Sequence, residues 1–101
     1  MSSSKNWVVF DAESVSTVPD TAGVYQLADQ EKNIVYIAGV PNLRQGLEES
    51  LTSGESVRLE DARLFRYEEA FMYSVRESEL IQRFIREKGR MPRGNQEMMW
   101  D

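Results

Sequence analysis

Between Gly23 and Leu47 the chain alternates short runs of β-branched and aromatic residues with polar clusters, and each transition has a local chemical cause. Gly23-Val24-Tyr25-Gln26-Leu27 and Ile34-Val35-Tyr36-Ile37 read as strands. The polar stretch Ala28 to Asn33 between them suits a hairpin turn. Gly39-Val40-Pro41-Asn42 breaks the second strand, and Asn42 caps a helix expected over Leu43 to Leu51, with Leu43, Leu47 and Leu51 as its apolar stripe. Gly54 supplies a left-handed stop, and Glu55 to Ala62 is a charged loop. Arg63-Leu64-Phe65-Arg66-Tyr67 alternates as a third strand.

Upstream, Met1 to Asn6 is a polar tail expected to be disordered, and Trp7-Val8-Val9-Phe10 reads as an edge strand or an anchor on the core. Asp11 to Val18 forms a helical turn capped by Asp11, with Val15 and Val18 inward and Pro19 ending it. Downstream, Ala70 to Lys88 is the clearest helical period, with Leu80, Ile81, Phe84 and Ile85 on one face and Gly89 closing it. Arg90 to Asn95 is a basic turn, and Met98, Met99 and Trp100 fold back onto the domain or fray. The expectation is an α+β domain over residues 7–97, a small three-stranded antiparallel sheet flanked by helices, with tails at 1–6 and 98–101.

Composition narrows the chemistry. The 101 residues hold no cysteine and no histidine, which removes disulfides, Cys-based zinc sites and the commonest general base. Any catalysis must use Tyr, Glu, Asp, Lys, Arg or a hydroxyl. A net charge of −5 argues against a broad basic surface while leaving room for a local basic cluster. No apolar run approaches a membrane span, and the first residues lack a signal peptide's apolar region, so a cytoplasmic monomer or small homo-oligomer is expected.

Two features invite a functional reading. Tyr25 and Tyr36 occupy similar places in paired strands and present two phenols near the start of the following helix. Projecting the second helix at about 100° per residue puts Glu77 in the middle of the apolar face, one turn before Leu80 and Ile81. A carboxylate there must be paired, hydrogen-bonded or metal-bound, or sit at a rim where the helix emerges from the core.

Assembled in order, these pieces resemble a GIY-YIG nuclease domain. Gly23-Val24-Tyr25 matches the first half of that signature and Tyr36-Ile37-Ala38 the second, ten residues apart. Asn42-Leu43-Arg44 resembles the family's helix start, Glu77 with Leu80-Ile81 its glutamate-bearing helix, and Pro92-Arg93-Gly94-Asn95 its closing Pro-x-x-Asn. The resemblance implies hydrolysis of nucleic-acid phosphodiesters, with Tyr25 and Tyr36 positioning water, Glu77 holding one Mg2+ or Mn2+, and Asn95 beside the site. It also exposes a departure. The position of the catalytic arginine is Gly46, and Arg44 lies about 200° away around the helix. Losing such a charge costs about 10²–10³-fold in rate, so weakened or lost cleavage is expected unless Arg66, Arg76, Arg83, Arg90 or Arg93 reaches the site.

Three readings therefore stand at this point. One is a metal-dependent endonuclease. Another is a non-catalytic module binding protein or nucleic acid without a cofactor, with Arg44, Arg90 and Arg93 as candidate nucleic-acid contacts. The last is an ordinary α+β domain in which Tyr25, Tyr36 and Glu77 lie far apart.

Overall fold

The computed structural model describes residues 6–52 and 61–98. Its elements run β1 (Val8–Val9), α1 (Ala12–Val15), β2 (Gly23–Ala28), β3 (Ile34–Val40), α2 (Leu43–Thr52), β4 (Leu64–Glu69), α3 (Tyr73–Lys88) and α4 (Arg93–Met98). The strands form one antiparallel sheet in the order β1-β4-β2-β3. The fold is α+β, as the sequence pattern predicts, and the fourth strand is the short edge option at Val8–Val9. The expected Gly54 stop, the tail at 1–5, the loop at 55–60 and the fold-back of Met99 and Trp100 lie outside the described residues.

Local chemistry sets the hairpin. Asp29 Oδ1 accepts the backbone N–H groups of Glu31 and Asn33, each at 2.9 Å, which closes the turn from β2 into β3. The strands then pair with Tyr25 opposite Ala38 and Leu27 opposite Tyr36, and slip register between Leu27 and Ala28. Asn42 caps α2 as expected, its Oδ1 accepting Gln45 N–H at 3.0 Å.

The sheet is covered on both faces. On one side Tyr25, Leu27, Ala38 and Phe65 pack with Val15 and Val18 from the first helical turn and Leu43 and Leu47 from α2. On the other, Val24 and Ile37 meet Leu80, with Ile34, Tyr73, Ile81 and Phe84 around them. The inward face of α3 is thus Leu80, Ile81 and Phe84, whereas Ile85, expected beside them, is 38% exposed. Gly89 closes α3 at φ 82, the left-handed conformation that glycine adopts without a Cβ penalty. The basic turn that follows continues as helix. Pro92, whose ring presets a helical φ, accepts Asn95 N–H at 3.0 Å at the start of α4.

Candidate functional site

β3 is an edge strand, and its outward backbone groups need partners. Two of the sequence candidates supply them. The Asn95 side chain makes both of its bonds to one residue: Ile37 N–H donates to Oδ1 at 2.9 Å, and Nδ2 donates to Ile37 C=O at 2.8 Å. It is 8% exposed, so both bonds are made away from water. Two residues along, Gly39 N–H donates to Glu77 Oε2 at 2.8 Å. Asn95 and Glu77 therefore substitute for a missing neighbouring strand, which answers why a carboxylate sits on the apolar face of α3.

That arrangement depends on glycine at position 39. A Cβ there would fall 2.7 Å from Tyr73 C=O and 3.0 Å from Glu77 Cβ. The bare backbone lets the first turn of α3 lie against β3 and brings the Glu77 carboxylate within reach of the strand edge.

The tyrosines sit on the opposite face of the sheet. Tyr25 and Tyr36 are in ring contact, centroids 6.1 Å apart and tilted by 53°. Tyr25 is 3% exposed, and its hydroxyl shares a 2.8 Å hydrogen bond with Ser50 Oγ and lies 3.5 Å from Gly46 C=O. Burial pushes its phenol up to about 12 against the opposing Ser50 bond, with Tyr36, Glu49 and Glu77 adding to the rise. The structure thus brings Tyr25 and Tyr36 together on one face of the sheet and sets Glu77 at the β3 edge on the α3 side, where its charge adds to the Tyr25 rise.

Gly46 has a packing use of its own. A Cβ there would lie 3.2 Å from Tyr25 Cε2 and 3.1 and 3.3 Å from the Val40 methyls. The glycine lets α2 settle onto the Tyr25 ring.

The arginines point elsewhere. Arg44 Nε donates to Val18 C=O at 2.8 Å and ties α2 to the end of the first helical turn. Arg66 stacks on Trp7 at 4.3 Å and donates to Gln26. Arg76 bridges Glu68 at 2.9 Å and Glu79 at 3.1 Å. Arg93 pairs with Asp61 at 2.6 Å. Among the described residues no group of three or more acidic side chains is arranged to hold a metal ion. Glu77, the expected ligand for Mg2+ or Mn2+, already commits one oxygen to Gly39.

A family described as "Domain of unknown function (DUF7508)" matches residues 1–87. The chain belongs to that family. No curated protein matches it. The DUF7508 match corrects the resemblance to GIY-YIG nucleases, since nothing shows membership of that superfamily. The residues that carried the resemblance have local physical reasons for being where they are. Tyrosines in a half-buried hairpin, glycines at close approaches and polar side chains closing a sheet edge are packing demands of this chain's fold. Each recurs wherever such packing does, so their order along a chain is a weak guide to ancestry.

The chain has one further constellation, partly beyond the matched residues, that reading the sequence by single residues missed. A cleft of about 560 Å³ opens between the hairpin turn and the α3–α4 corner, lined by Lys32, Lys88, Arg90 and Arg93 together with Asp29 and Glu87. Burial raises the Asp29 carboxyl, but hydrogen bonds from Asn33 and Glu31 and the charge of Arg93 outweigh it and hold it below the usual range. The available signal was charge order. Arg83, Arg86, Lys88, Arg90 and Arg93 crowd into eleven residues with Glu87 as their only acid, on a chain of net charge −5. No described helix is long and apolar enough to cross a membrane.

Proposed function

We propose that this domain is a non-catalytic binding module that grips the phosphate backbone of a nucleic acid through the cleft between its hairpin and the α3–α4 corner. The observation that carries the reading is the convergence of Lys32, Lys88, Arg90 and Arg93 on one concave surface of an acidic chain. Cations cost self-repulsion when gathered, and an anionic partner repays it. Lys32 comes from the hairpin and the others from the far wall, so a backbone lying in the cleft meets positive charge on both sides. Arg90 and Arg93, expected as nucleic-acid contacts from sequence, belong to this surface, whereas Arg44 is turned toward Val18.

The tyrosine neighbourhood supports binding over hydrolysis. A phenol near 12, nearly inaccessible and already bonded to Ser50, is poorly suited to deprotonate water at neutral pH. Glu77 and Asn95 are occupied in closing the edge of β3.

A salt titration tests the reading. A fluorescent single strand should bind at low salt, with log K falling against log salt by about 2 for the three phosphate contacts of Lys32, Lys88 and Arg90, since Arg93 is held by Asp61. Lys88→Glu with Arg90→Glu, both on exposed side chains, should abolish binding without lowering thermal stability. No binding at low salt, or binding unchanged by the double reversal, overturns the proposal. Strand cleavage in Mg2+ or Mn2+ that disappears in Glu77→Gln overturns its non-catalytic part.

A further inference from the structure

Phosphate contacts leave part of the cleft beside the hairpin turn unused. Ile34 and Val35 at the start of β3, Phe84 of α3, and Met91 and Pro92 at the α3–α4 corner line it together with the charged residues. Val35 and Pro92 are buried, Ile34, Phe84 and Met91 half-buried, and Lys32, Lys88 and Arg90 exposed. Exposure therefore grades the lining from an apolar floor to a cationic rim. Ile34 and Phe84 also pack against the core of Val24, Ile37 and Leu80, so the floor is fixed by the sheet and α3 rather than by loops.

Charge decides what can reach that floor. Arg93 is paired with Asp61 at 2.6 Å, which leaves Lys32, Lys88 and Arg90 set against Asp29 and Glu87. Asp29 commits Oδ1 to the N–H groups of Glu31 and Asn33 and Oδ2 to Asn33 Nδ2, bonds that favour its charged form. A phosphate drawn down to the floor would lose hydration over apolar side chains and approach these acids, so phosphates belong at the rim. The floor suits a neutral, flat group. A nucleobase joined to its own backbone is such a group, and Phe84 offers it an aromatic ring. The volume of about 560 Å³ lies within the range of about 300–1,000 Å³ typical of small-ligand sites.

We infer that the cleft takes an unpaired base of a single-stranded nucleic acid, held against Phe84 while the flanking phosphates meet Lys32 on one wall and Lys88 and Arg90 on the other. The inference rests on the phosphate-binding reading of the cleft and narrows it from nucleic acid in general to single strands. In a duplex the bases are paired and stacked inside, so only the backbone reaches the rim and the floor stays unused. Stacking on an aromatic ring tolerates any base, so the site selects strandedness rather than sequence. Magnitude points the same way. Three cations partly offset by two acids make a weak phosphate site, and one stacked base strengthens binding by about fivefold or more.

Fluorescence anisotropy at low salt separates base from phosphate. An oligothymidylate of about ten nucleotides is compared with a strand of equal length whose sugars carry no bases. The base-less strand should bind about fivefold or more weakly, with the same salt slope, because the phosphates are identical. The oligothymidylate annealed to its complement should also bind more weakly than the free strand. Phe84→Leu keeps an apolar side chain against the Val24, Ile37 and Leu80 core. It should lower oligothymidylate affinity to that of the base-less strand and leave the base-less strand unmoved. Circular dichroism checks that this variant is folded, and the wild-type comparison decides the matter if it is not. Equal affinity for the two strands overturns the inference and leaves the phosphate reading standing, whereas binding of neither overturns both. Tighter binding of the duplex, or a folded Phe84→Leu that still discriminates as the wild type does, also overturns the inference.

Discussion

Asn95→Ala isolates the edge clamp on β3. Asn95 satisfies both backbone groups of Ile37, at 2.9 and 2.8 Å, and is 8% exposed. Truncation leaves an N–H and a C=O without partners beneath α4. Each unsatisfied buried group costs about 1–3 kcal/mol, and some water entry at the strand edge tempers the sum, so a loss of about 2–4 kcal/mol is expected. For a chain of this size that is a fall in Tm of very roughly 10–25 °C. Urea unfolding followed by circular dichroism reads it as a lower midpoint at unchanged m value. Asn95→Asp sharpens the test. It keeps an acceptor for Ile37 N–H but turns a carboxylate oxygen toward Ile37 C=O, which favours the protonated acid and raises its folded pKa above the usual value of about 3.9. A raised folded pKa means stability present below about pH 4 and lost as pH rises through the folded value, the reverse of an ion-paired aspartate. If Asn95→Ala costs less than about 0.5 kcal/mol and Ile37 amide exchange is unchanged, the clamp is not what holds this edge.

Two further perturbations address the neighbouring contacts. Gly39→Ala drives a methyl group to 2.7 Å from Tyr73 C=O, so the first turn of α3 must retreat and Glu77 must loosen its hold on Gly39; a loss of about 2 kcal/mol or more is expected, and a urea midpoint equal to wild type would refute the close approach. The Tyr25 phenol, raised to about 12, should ionise well above the usual tyrosine value of about 10 in an ultraviolet titration compared with Tyr25→Phe. Because its folded value exceeds the unfolded one, stability is retained below about pH 10 and falls by about 2–3 kcal/mol as pH rises toward the folded value. Tyr25→Phe should remove that slope while costing about 1 kcal/mol at neutral pH, and an unchanged slope would show that another group is responsible.

The parts of this fold that follow from local rules were legible. Asp11 and Asn42 cap the helices they precede, Gly89 stops α3, and the alternation of the hairpin reproduces its pairing. The parts that depend on distant partners were not. Glu77 was visible as an anomaly on an apolar face, but its partner is a backbone N–H thirty-eight positions away, which no periodicity reports. Gly46 read as a missing cation because a glycine in a helix shows only what it lacks. The ring and methyl groups that need the space come from β2 and β3. Ile85 was placed inward because a hundred-degree projection does not say how wide a stripe the sheet covers. Here the sheet takes Leu80, Ile81 and Phe84 and leaves Ile85 to solvent.

α3 therefore has two uses. Its inner side builds the core against Val24 and Ile37, and Glu77 closes the sheet edge. Its C-terminal end supplies Phe84, Glu87 and Lys88 to the cleft beside the hairpin turn. These uses are compatible because they fall at different heights on sixteen residues. Charge reversal at the exposed Lys88 should therefore alter the cleft and leave the core and the β3 edge intact, whereas a change at Gly39 or Asn95 acts on the edge first.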